Sequence, residues 1–294
     1  MFCVLTLLLS GDVTAAPPKA VVILGGTMAE REQEYGHWEA AARLTSPRPL
    51  RVRNLAWSGD TVWGSSRGRF DPPADGYRRM IDDVTALDPD LLVFGYGNAE
   101  ALQIATGTEP TSEATAAFAT QYRTLVADLP DSPRLFLGPS ATMLTRLPED
   151  VAASRLAVLR SVEAAIEEIA DENGATFLSL LDVDGNRNWT DDGIQWNAAG
   201  YEATATRVGQ AIAAVDDGHD LPQGSPDRDR LDALRSAIRH KNRLVFHRHR
   251  PQNTTYLLLF RKHEQGQNAG EIAAFEPSIR DAEAVIDAMI ASLR

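Results

Sequence analysis

The sequence predicts an α/β fold in which a parallel sheet is covered by helices on both faces. Strand-type apolar runs alternate with helical patterns along the first 215 residues, which is typical of chains whose parallel strands are joined by crossover helices. The segment 91–94, Leu-Leu-Val-Phe, is apolar at successive positions, as expected of a strand buried on both sides. The length allows one large domain with a smaller appendage.

The elements follow one another in a regular order. The predicted strands are 20–24, 51–55, 90–96, 134–138 and 175–180. The predicted helices between and after them are 30–43, 76–87, 112–129, 148–173 and 198–215. The segment 216–226 is rich in Asp, Gly and Pro and indicates a linker. We therefore place the main domain at 17–215.

The last part of the chain has a different composition. We predict a helix at 228–240, two strands at 244–247 and 255–260, and a last helix at 278–293, which makes 227–294 a basic helix–strand–strand–helix appendage. Between Arg228 and His263 the sequence contains ten Lys or Arg and two Asp, whereas the whole chain has a net charge of −12. The overall acidity argues against nucleic-acid binding. The basic region is either a solvated face or a surface for an acidic partner.

The first 16 residues resemble a secretory signal. Positions 2–9 form a short, mostly apolar core, and small residues precede a cleavage point. We expect a secreted or periplasmic protein without an integral membrane segment after signal removal, since no other run is long enough to span a bilayer. The only cysteine, Cys3, lies within this signal. We expect no cofactor and no metal site.

The turn after the first strand is the first candidate for a functional site. Val21 to Leu24 lead into Gly25-Gly26-Thr27 and then a helix. In an open parallel sheet, ligands bind at the carboxyl ends of the strands, and two glycines allow a substrate to approach the backbone closely. The Thr27 hydroxyl is therefore a candidate nucleophile, although it could equally be the helix N-cap.

Three later loops are expected at the same edge of the sheet. They are Ser58-Gly59-Asp60-Thr61, Gly97-Asn98-Ala99-Glu100 and Asp192-Gly193-Ile194-Gln195 followed by Trp196-Asn197. Each is weak evidence alone because Gly and Asn are ordinary turn residues. Their order along the chain is much more specific.

These four blocks over about 21–215 resemble those of the SGNH (GDSL-type) hydrolase family. The resemblance implies a flavodoxin-like three-layer α/β/α fold and cleavage of acetyl or other acyl esters of sugars and lipids. It implies that Thr27 stands in the place of the nucleophilic Ser, and that Gly59 supplies an N–H to the oxyanion hole. Ala99 takes the place of the Asn donor, with Asn98 one residue early. Asp192 is kept, but Gln195 replaces the catalytic His.

The chain also resembles a bacterial subgroup whose first block reads Gly-Asn-Thr-x-x-Glu-Arg, which makes Thr27 a subgroup trait. The segments His240-Lys241-Asn242 and Arg250-Pro251-x-Asn253 are similar to that subgroup's carboxyl-terminal appendage. Gln195 is then the departure that matters, because a side-chain amide can hydrogen-bond but cannot accept and return a proton.

Three functions follow from these residues. The first is a hydrolase of an acyl ester, on a carbohydrate or another molecule, that uses Thr27 with an unusual base. The second is a pseudo-hydrolase that binds such a small-molecule or carbohydrate ester without cleaving it. Its ligand would lie in the retained crevice formed by Thr27, Gly59, Asn98, Asp192 and Trp196. The third is a scaffold whose basic appendage docks an acidic partner.

Two further features are the charges next to Thr27 and the polar segment 182–188. Glu30 and Arg31 could pair with Asp60 or Arg53 to hold the crevice, or could be ordinary charges of a first helical turn. The segment 182–188 resembles the start of a calcium loop, but its glycine is misplaced and the closing Glu is missing. A polar loop is the better interpretation of it.

Overall fold

The computed structural model describes residues 17–181, 187–215 and 227–293. Its sheet has five parallel strands in the order β2-β1-β3-β4-β5, the order of flavodoxin-like doubly wound folds. The strands are β1 (Lys19–Gly25), β2 (Leu50–Asn54), β3 (Leu91–Gly95), β4 (Arg134–Ser140) and β5 (Thr176–Leu180). The predicted α/β class and three-layer architecture are confirmed.

The helices of the main domain alternate with these strands. They are α1 (Thr27–Tyr35), α2 (His37–Thr45), α3 (Pro73–Ala86), α4 (Asn98–Thr106), α5 (Thr111–Asp128), α6 (Glu149–Glu172) and α7 (Ala198–Ala214). The C-terminal helices are α8 (Arg228–His249), α9 (Thr254–Leu257), α10 (Lys262–Gln265) and α11 (Phe275–Leu293). Short 3-10 turns lie at Ser65–Arg67, Thr142–Leu144, Arg187–Trp189 and Gly266–Ala274. None of the helices that the structure describes is long and apolar enough to cross a membrane.

Two apolar cores lie on the two faces of the sheet. Because side chains alternate along a strand, Val22 and Leu24 of β1 face one core and Val21 and Ile23 face the other. The first core is closed by α3, α5 and α6, and the second by α1, α2 and α7. Burial of both faces explains the continuous apolar run of β3.

The predicted single helix at 30–43 is two helices in the structure. The break is at Gly36, whose φ of 69° is in the left-handed region. A Cβ at this position would lie 3.1 Å from Cγ2 of Ile238 on α8. Helix α8 therefore packs so closely on Gly36 that a larger side chain would not fit. The left-handed conformation of this glycine separates α1 from α2.

The two strands predicted in the appendage are wrong. Residues 244–247 continue α8, and 255–260 lie largely in and after the single turn of α9. The short apolar run at Leu244 looked strand-like, but Leu234, Ile238, Lys241 and Val245 form one buried stripe of α8 at helical spacing. Tertiary packing along that stripe outweighs the local preference of a few residues.

The appendage is joined to the main domain by buried ion pairs. The Lys241 ammonium lies 2.8 Å from the Glu39 carboxylate and donates to the Val52 carbonyl at 3.0 Å. Arg53 of β2 pairs with Glu283 of α11 at 2.7 Å. Lys241 is fully buried, and a buried charge requires such partners because desolvation is costly. The predicted boundaries at 17–215 and 227–294 remain a proposal, and the predicted signal 1–16 and linker 216–226 lie outside the described residues.

Candidate functional site

The turn after β1 brings a hydroxyl to the carboxyl edge of the sheet. β1 ends at Gly25 and α1 begins at Thr27. The half-buried Thr27 accepts, at Oγ1, a 2.9 Å hydrogen bond from the Gly59 N–H. The cap position of α1 is Gly26, so the alternative in which Thr27 is the N-cap is wrong. The hydroxyl faces the second loop.

The two glycines before Thr27 are required by backbone-to-backbone packing. A Cβ on Gly25 would lie 2.5 Å from the Gly95 carbonyl oxygen, and one on Gly26 would lie 2.9 Å from that of Asp60. Gly25 and Gly95 are also register partners at the ends of β1 and β3. The loops after the first three strands are thus in direct contact, and only glycine permits this approach.

The second loop is held so that the Gly59 N–H is directed at Thr27. The Trp57 N–H donates to the Gly25 carbonyl at 2.9 Å. Ser66 Oγ donates to the Gly59 carbonyl at 2.6 Å. Gly59 has a φ of 72°, which favours glycine. The expected proximity of Thr27 and Gly59 is present.

Buried charges below this loop fix it further. The Arg67 Nε lies 2.6 Å from the fully buried Asp60 carboxylate. Glu100 accepts from the Val62 N–H at 3.0 Å and the Gly97 N–H at 2.8 Å, and so connects the second and third loops. Burial raises the pKa of Glu100 to about 7. Sequence reasoning missed this role of Glu100, since an acidic residue in a turn is usually exposed.

Asn98 on the third loop binds the neighbouring strand. Its Nδ2 donates to the carbonyl oxygen and Oγ of Ser140 at 3.2 and 3.3 Å, and its Oδ1 accepts from the Ser140 N–H at 3.2 Å. The amide therefore fastens the end of β3 to that of β4. An oxyanion donor role for Asn98 requires it to leave Ser140 and remains a prediction.

The last loop is ordered around Asp192. Its Oδ1 accepts from the N–H groups of Ile194 and Gln195, both at 2.8 Å, and from Thr190 Oγ1 at 3.1 Å. Burial raises the pKa of Asp192, but these hydrogen bonds, first that from Gln195, hold it below its usual value. Arg31 of α1 contributes in the same direction. Gln195 is half-buried and forms no side-chain hydrogen bond within the described residues.

The sequence of this region matches a known family. Residues 25–203, well over half of the chain, match the GDSL-like Lipase/Acylhydrolase family. The chain belongs to the GDSL-like acylhydrolases. The predicted resemblance is thereby confirmed at the level of the family. Among curated proteins no significant match was found.

Solved structures of low identity share the fold. A gut microbial diltiazem-metabolizing enzyme has 12% identity and a TM-score of 0.59, with 94% of each chain covered. A lipase/acylhydrolase from Enterococcus faecalis has 15% identity and a TM-score of 0.50, covering 70% of this chain and 100% of its own. A variant of an acetyl-xylooligosaccharide esterase from Geobacillus stearothermophilus has 14% identity and a TM-score of 0.50, covering 70% and 97%.

The structure replaces the predicted ligand-binding role of Trp196 with a structural one. Trp196 is only 3% exposed and belongs to the second core. Its ring meets those of Trp38 and Tyr201 edge to face at 6.1 and 5.6 Å. A Cβ on Gly200 would lie 2.7 Å from the indole, so α7 packs tightly on it. The bulky apolar ring is explained by burial.

Arg250 of the appendage reaches the second loop of this acylhydrolase. Its guanidinium lies 3.3 Å from the Glu30 carboxylate, donates to the Ala56 carbonyl, and lies over the Trp57 ring at 4.2 Å. Glu30 also accepts from Ser58 Oγ at 2.8 Å. Burial lowers the pKa of Arg250 to about 10, although Glu30 opposes this. The appendage therefore contributes to the site through an arginine.

The predicted pairing of Glu30 and Arg31 with Asp60 or Arg53 is wrong. Glu30 pairs with Arg250, and Arg31 donates to the Tyr35 hydroxyl at 2.9 Å. The sequence could not show this, because Asp60 and Arg53 each have a different partner supplied by tertiary packing. Only the resemblance of the segment at Arg250 to a subgroup motif pointed to the tail.

No described histidine hydrogen-bonds to or forms an ion pair with Thr27, Asp192 or Gln195. His37 is buried at the start of α2, where burial, and then Arg235, lowers its pKa to about 4. His249 lies 3.7 Å from Asp83. Within the described ranges no group of three or more His, Cys, Asp or Glu could hold a metal ion. The segment 182–186 of the suggested calcium loop lies outside them.

Proposed function

We propose that the protein hydrolyses an acyl ester with the Thr27 hydroxyl as nucleophile. The observation that carries this proposal is the 2.9 Å contact between Thr27 Oγ1 and the Gly59 N–H at the carboxyl edge of the sheet. In this reaction the hydroxyl attacks the ester carbonyl carbon, the alcohol leaves, and water later releases the acid from Thr27. Membership of the acylhydrolase family supports this reaction class.

The developing oxyanion would be stabilised by backbone donors. The Gly59 N–H is fixed by its loop, and the first N–H groups of α1 have no partner within the helix. Such preorganised donors stabilise the negative charge because they need no reorganisation during the reaction. The family position that donates an amide is Ala99 here, so this site offers one donor fewer unless Asn98 leaves Ser140.

Proton transfer is the step in which this site differs from a Ser-His-Asp system. Gln195 cannot accept a proton. The carboxylate of Glu30, one turn after Thr27 and bonded to Ser58 beside Gly59, is the group we assign as proton acceptor in a hydrolase. Its two oxygens are held by Ser58 Oγ and the Arg250 guanidinium, and a carboxylate is in general a weaker base than an imidazole. We therefore expect slow turnover.

A carbohydrate or similar organic ester is the substrate class that we favour. The loops of the candidate site carry two exposed apolar side chains, Trp63 on the second loop at 38% and Ile194 on the last loop at 46% exposure. An indole face can pack against a sugar ring or an acyl chain. We also propose that the protein acts outside the cytoplasm, on the basis of the signal-like segment 1–16.

Binding without hydrolysis is the second candidate, and Gln195 favours it. The last loop retains Asp192, but Asp192 binds main-chain N–H groups and there is no imidazole for it to orient. A docking scaffold has less support, because several cations of the appendage pair with carboxylates of the same chain. These pairs include Lys241–Glu39, Arg248–Glu276 and Arg250–Glu30.

The test is hydrolysis of 4-nitrophenyl acetate by the mature chain beside Thr27→Ala, Thr27→Ser and Glu30→Gln. A hydrolase should lose at least about 10³-fold in kcat/KM in Thr27→Ala and keep activity in Thr27→Ser. Glu30→Gln should lose about 10²-fold or more. Equal rates in the parent and Thr27→Ala would contradict the hydrolase. Saturable protection by an acetylated oligosaccharide against unfolding, without product, would then support binding alone.

A further inference from the structure

A cavity of about 400 Å³ lies between the appendage and the second loop. Trp57, Arg69 and Met80 line it from the main domain. The appendage contributes His249 and an apolar wall formed by Leu258, Leu259, Ile272 and Ala273. The cavity adjoins the candidate site through Trp57, but neither Thr27 nor Gln195 lines it. It is large enough for a small organic molecule.

Four guanidinium groups line this cavity, and three have a carboxylate of their own. The pairs are Arg67–Asp60 at 2.6 Å, Arg79–Asp71 at 2.8 Å and Arg248–Glu276 at 3.2 Å. Arg69 is the exception: within the described residues no carboxylate lies at ion-pair distance from it. It donates to Thr254 Oγ1 and, at 3.4 Å, to the His249 carbonyl. Both of these acceptors are neutral.

The surroundings of Arg69 compensate its charge only in part. Its guanidinium lies 5.1 Å from the centre of the Trp57 ring, a cation–π contact that is favourable but supplies no anion. Burial lowers the pKa of Arg69, and the nearby Arg79 lowers it further, with Asp83 opposing. Its φ of 57° is uncommon for a residue with a side chain. Beside it, the buried Nδ1 of His249 has no hydrogen-bond partner. The Arg69 guanidinium thus has hydrogen bonds but no carboxylate at ion-pair distance among the described residues. His249 Nδ1, 3.7 Å from the Asp83 carboxylate, lacks the hydrogen bond that buried polar groups normally have.

We propose that this cavity binds a small organic carboxylate, with its charge on Arg69 and its apolar body against Leu258, Leu259 and Ile272. A carboxylate matches the planar fork of a guanidinium. Arg69 offers a single positive charge, and the carboxylates of Asp82 and Asp83, which also line the cavity, repel a dianion more strongly than a singly charged carboxylate. The apolar wall excludes a fully hydrated inorganic ion as the preferred ligand.

This assignment does not depend on hydrolysis at Thr27. The ligand would be held by the appendage and the loop after β2, so its binding would also fix these two parts of the chain together. A pseudo-hydrolase would retain the cavity unchanged. The two proposals can therefore fail separately.

The experiment is isothermal titration of the full mature chain with three six-carbon probes: hexanoate, hexan-1-ol and hexyl phosphate at a pH where the phosphate is a dianion. We expect saturable binding of hexanoate, with the alcohol and the phosphate at least about tenfold weaker. Arg69→Gln should weaken hexanoate binding by at least about tenfold. Arg78→Gln is the matched control, because Arg78 is exposed and lies on α3 outside the cavity.

Equal affinity for hexanoate and hexan-1-ol, or unchanged hexanoate binding in folded Arg69→Gln, would overturn the proposal. The absence of hexanoate binding to the parent would do so as well. The comparison of the three probes needs no variant, so it decides the matter even if Arg69→Gln does not fold. Thr27→Ala should bind hexanoate as the parent does, which separates this site from the proposed chemistry.

Discussion

The two sides of the candidate site are equally well ordered but differ in the chemical groups that they present. On the nucleophile side, Thr27 and Gly59 are in contact, and the loops around them are fixed by backbone packing and by buried Asp60 and Glu100. On the base side, Asp192 orders its own turn equally well. That turn presents Gln195, whose side-chain amide cannot accept and return a proton.

This difference shows that the geometry of a site and its chemistry depend on different residues. The last loop keeps its shape through main-chain hydrogen bonds to Asp192 and through the buried ring of Trp196. Neither interaction requires an imidazole at position 195. A change of one exposed or half-buried side chain can therefore remove the base while the loop stays folded.

The largest expected effect comes from Gln195→His. An imidazole on the ordered turn would be a stronger proton acceptor than the Glu30 carboxylate and should raise hydrolysis of 4-nitrophenyl acetate by about 10²–10⁴-fold. The measurement is kcat/KM in the parent and variant. The double variant Thr27→Ala with Gln195→His should lose the gain. A gain that survives loss of Thr27 would show that the histidine acts alone and that the nucleophile side is wrongly assigned.

The next effect concerns the stability of the base side. Trp196→Ala should lower the free energy of unfolding by about 3–5 kcal/mol, because it leaves a cavity among Trp38, Tyr201 and α7. The measurement is urea unfolding followed by circular dichroism. Trp63→Ala, at an exposed rim position, is the matched control and should cost little stability. If Trp196→Ala were as stable as the parent and weakened ligand binding, the structural role would be refuted.

The third effect is a dependence of the unfolding free energy on pH, which arises from Glu100 on the nucleophile side. The pKa of Glu100 lies near 7 in the folded chain and near 4.5 when unfolded, so the folded state binds more protons between these values. Its contribution to stability is complete below about pH 4.5 and is lost as pH rises through about 7, by roughly 2–4 kcal/mol.

The check is the difference in unfolding free energy between the parent and Glu100→Gln from pH 4.5 to 8. His37, whose pKa is lowered, titrates in the opposite sense over part of this range, and the difference between variants removes its contribution. As pH rises, the unfolding free energy of the parent should fall relative to that of Glu100→Gln. A difference that stays flat with pH would contradict the protonation of Glu100.

The smallest expected effect is that of the tail on the nucleophile side. Arg250→Gln removes hydrogen bonds to Glu30 and the Ala56 carbonyl and should cost about 1–3 kcal/mol of unfolding free energy. Hydrolysis by the variant should fall as well, because Glu30 and Ser58 lose their support. Arg261→Gln, at an exposed ion pair, is the control. Equal stability and equal turnover in the two variants would show that the tail does not support the site.

The sequence predicted the sheet and the loops at its edge because both depend on local patterns. Apolar runs predicted each of the five strands to within one or two residues, and the block order predicted the proximity of Thr27 and Gly59. The partners of Glu30, Arg53 and Asp60 could not be predicted, since complementary charges meet only after packing. The prediction of two strands in the appendage was wrong for the same reason. The buried stripe of α8 is stabilised by packing on other elements, including α2 and β2, and a local sequence pattern does not show this packing.

The ion pairs that fasten the appendage also close one border of the sheet. β2 is an outermost strand, and outward carbonyls of such a strand can recruit a strand from another molecule. Here the Lys241 ammonium occupies the Val52 carbonyl, and the Arg43 guanidinium occupies that of Leu50. Lys241 and Glu283 thus hold α8 and α11 against this edge strand, which should hinder strand pairing with another molecule. A chain cut before α8 should aggregate through β2.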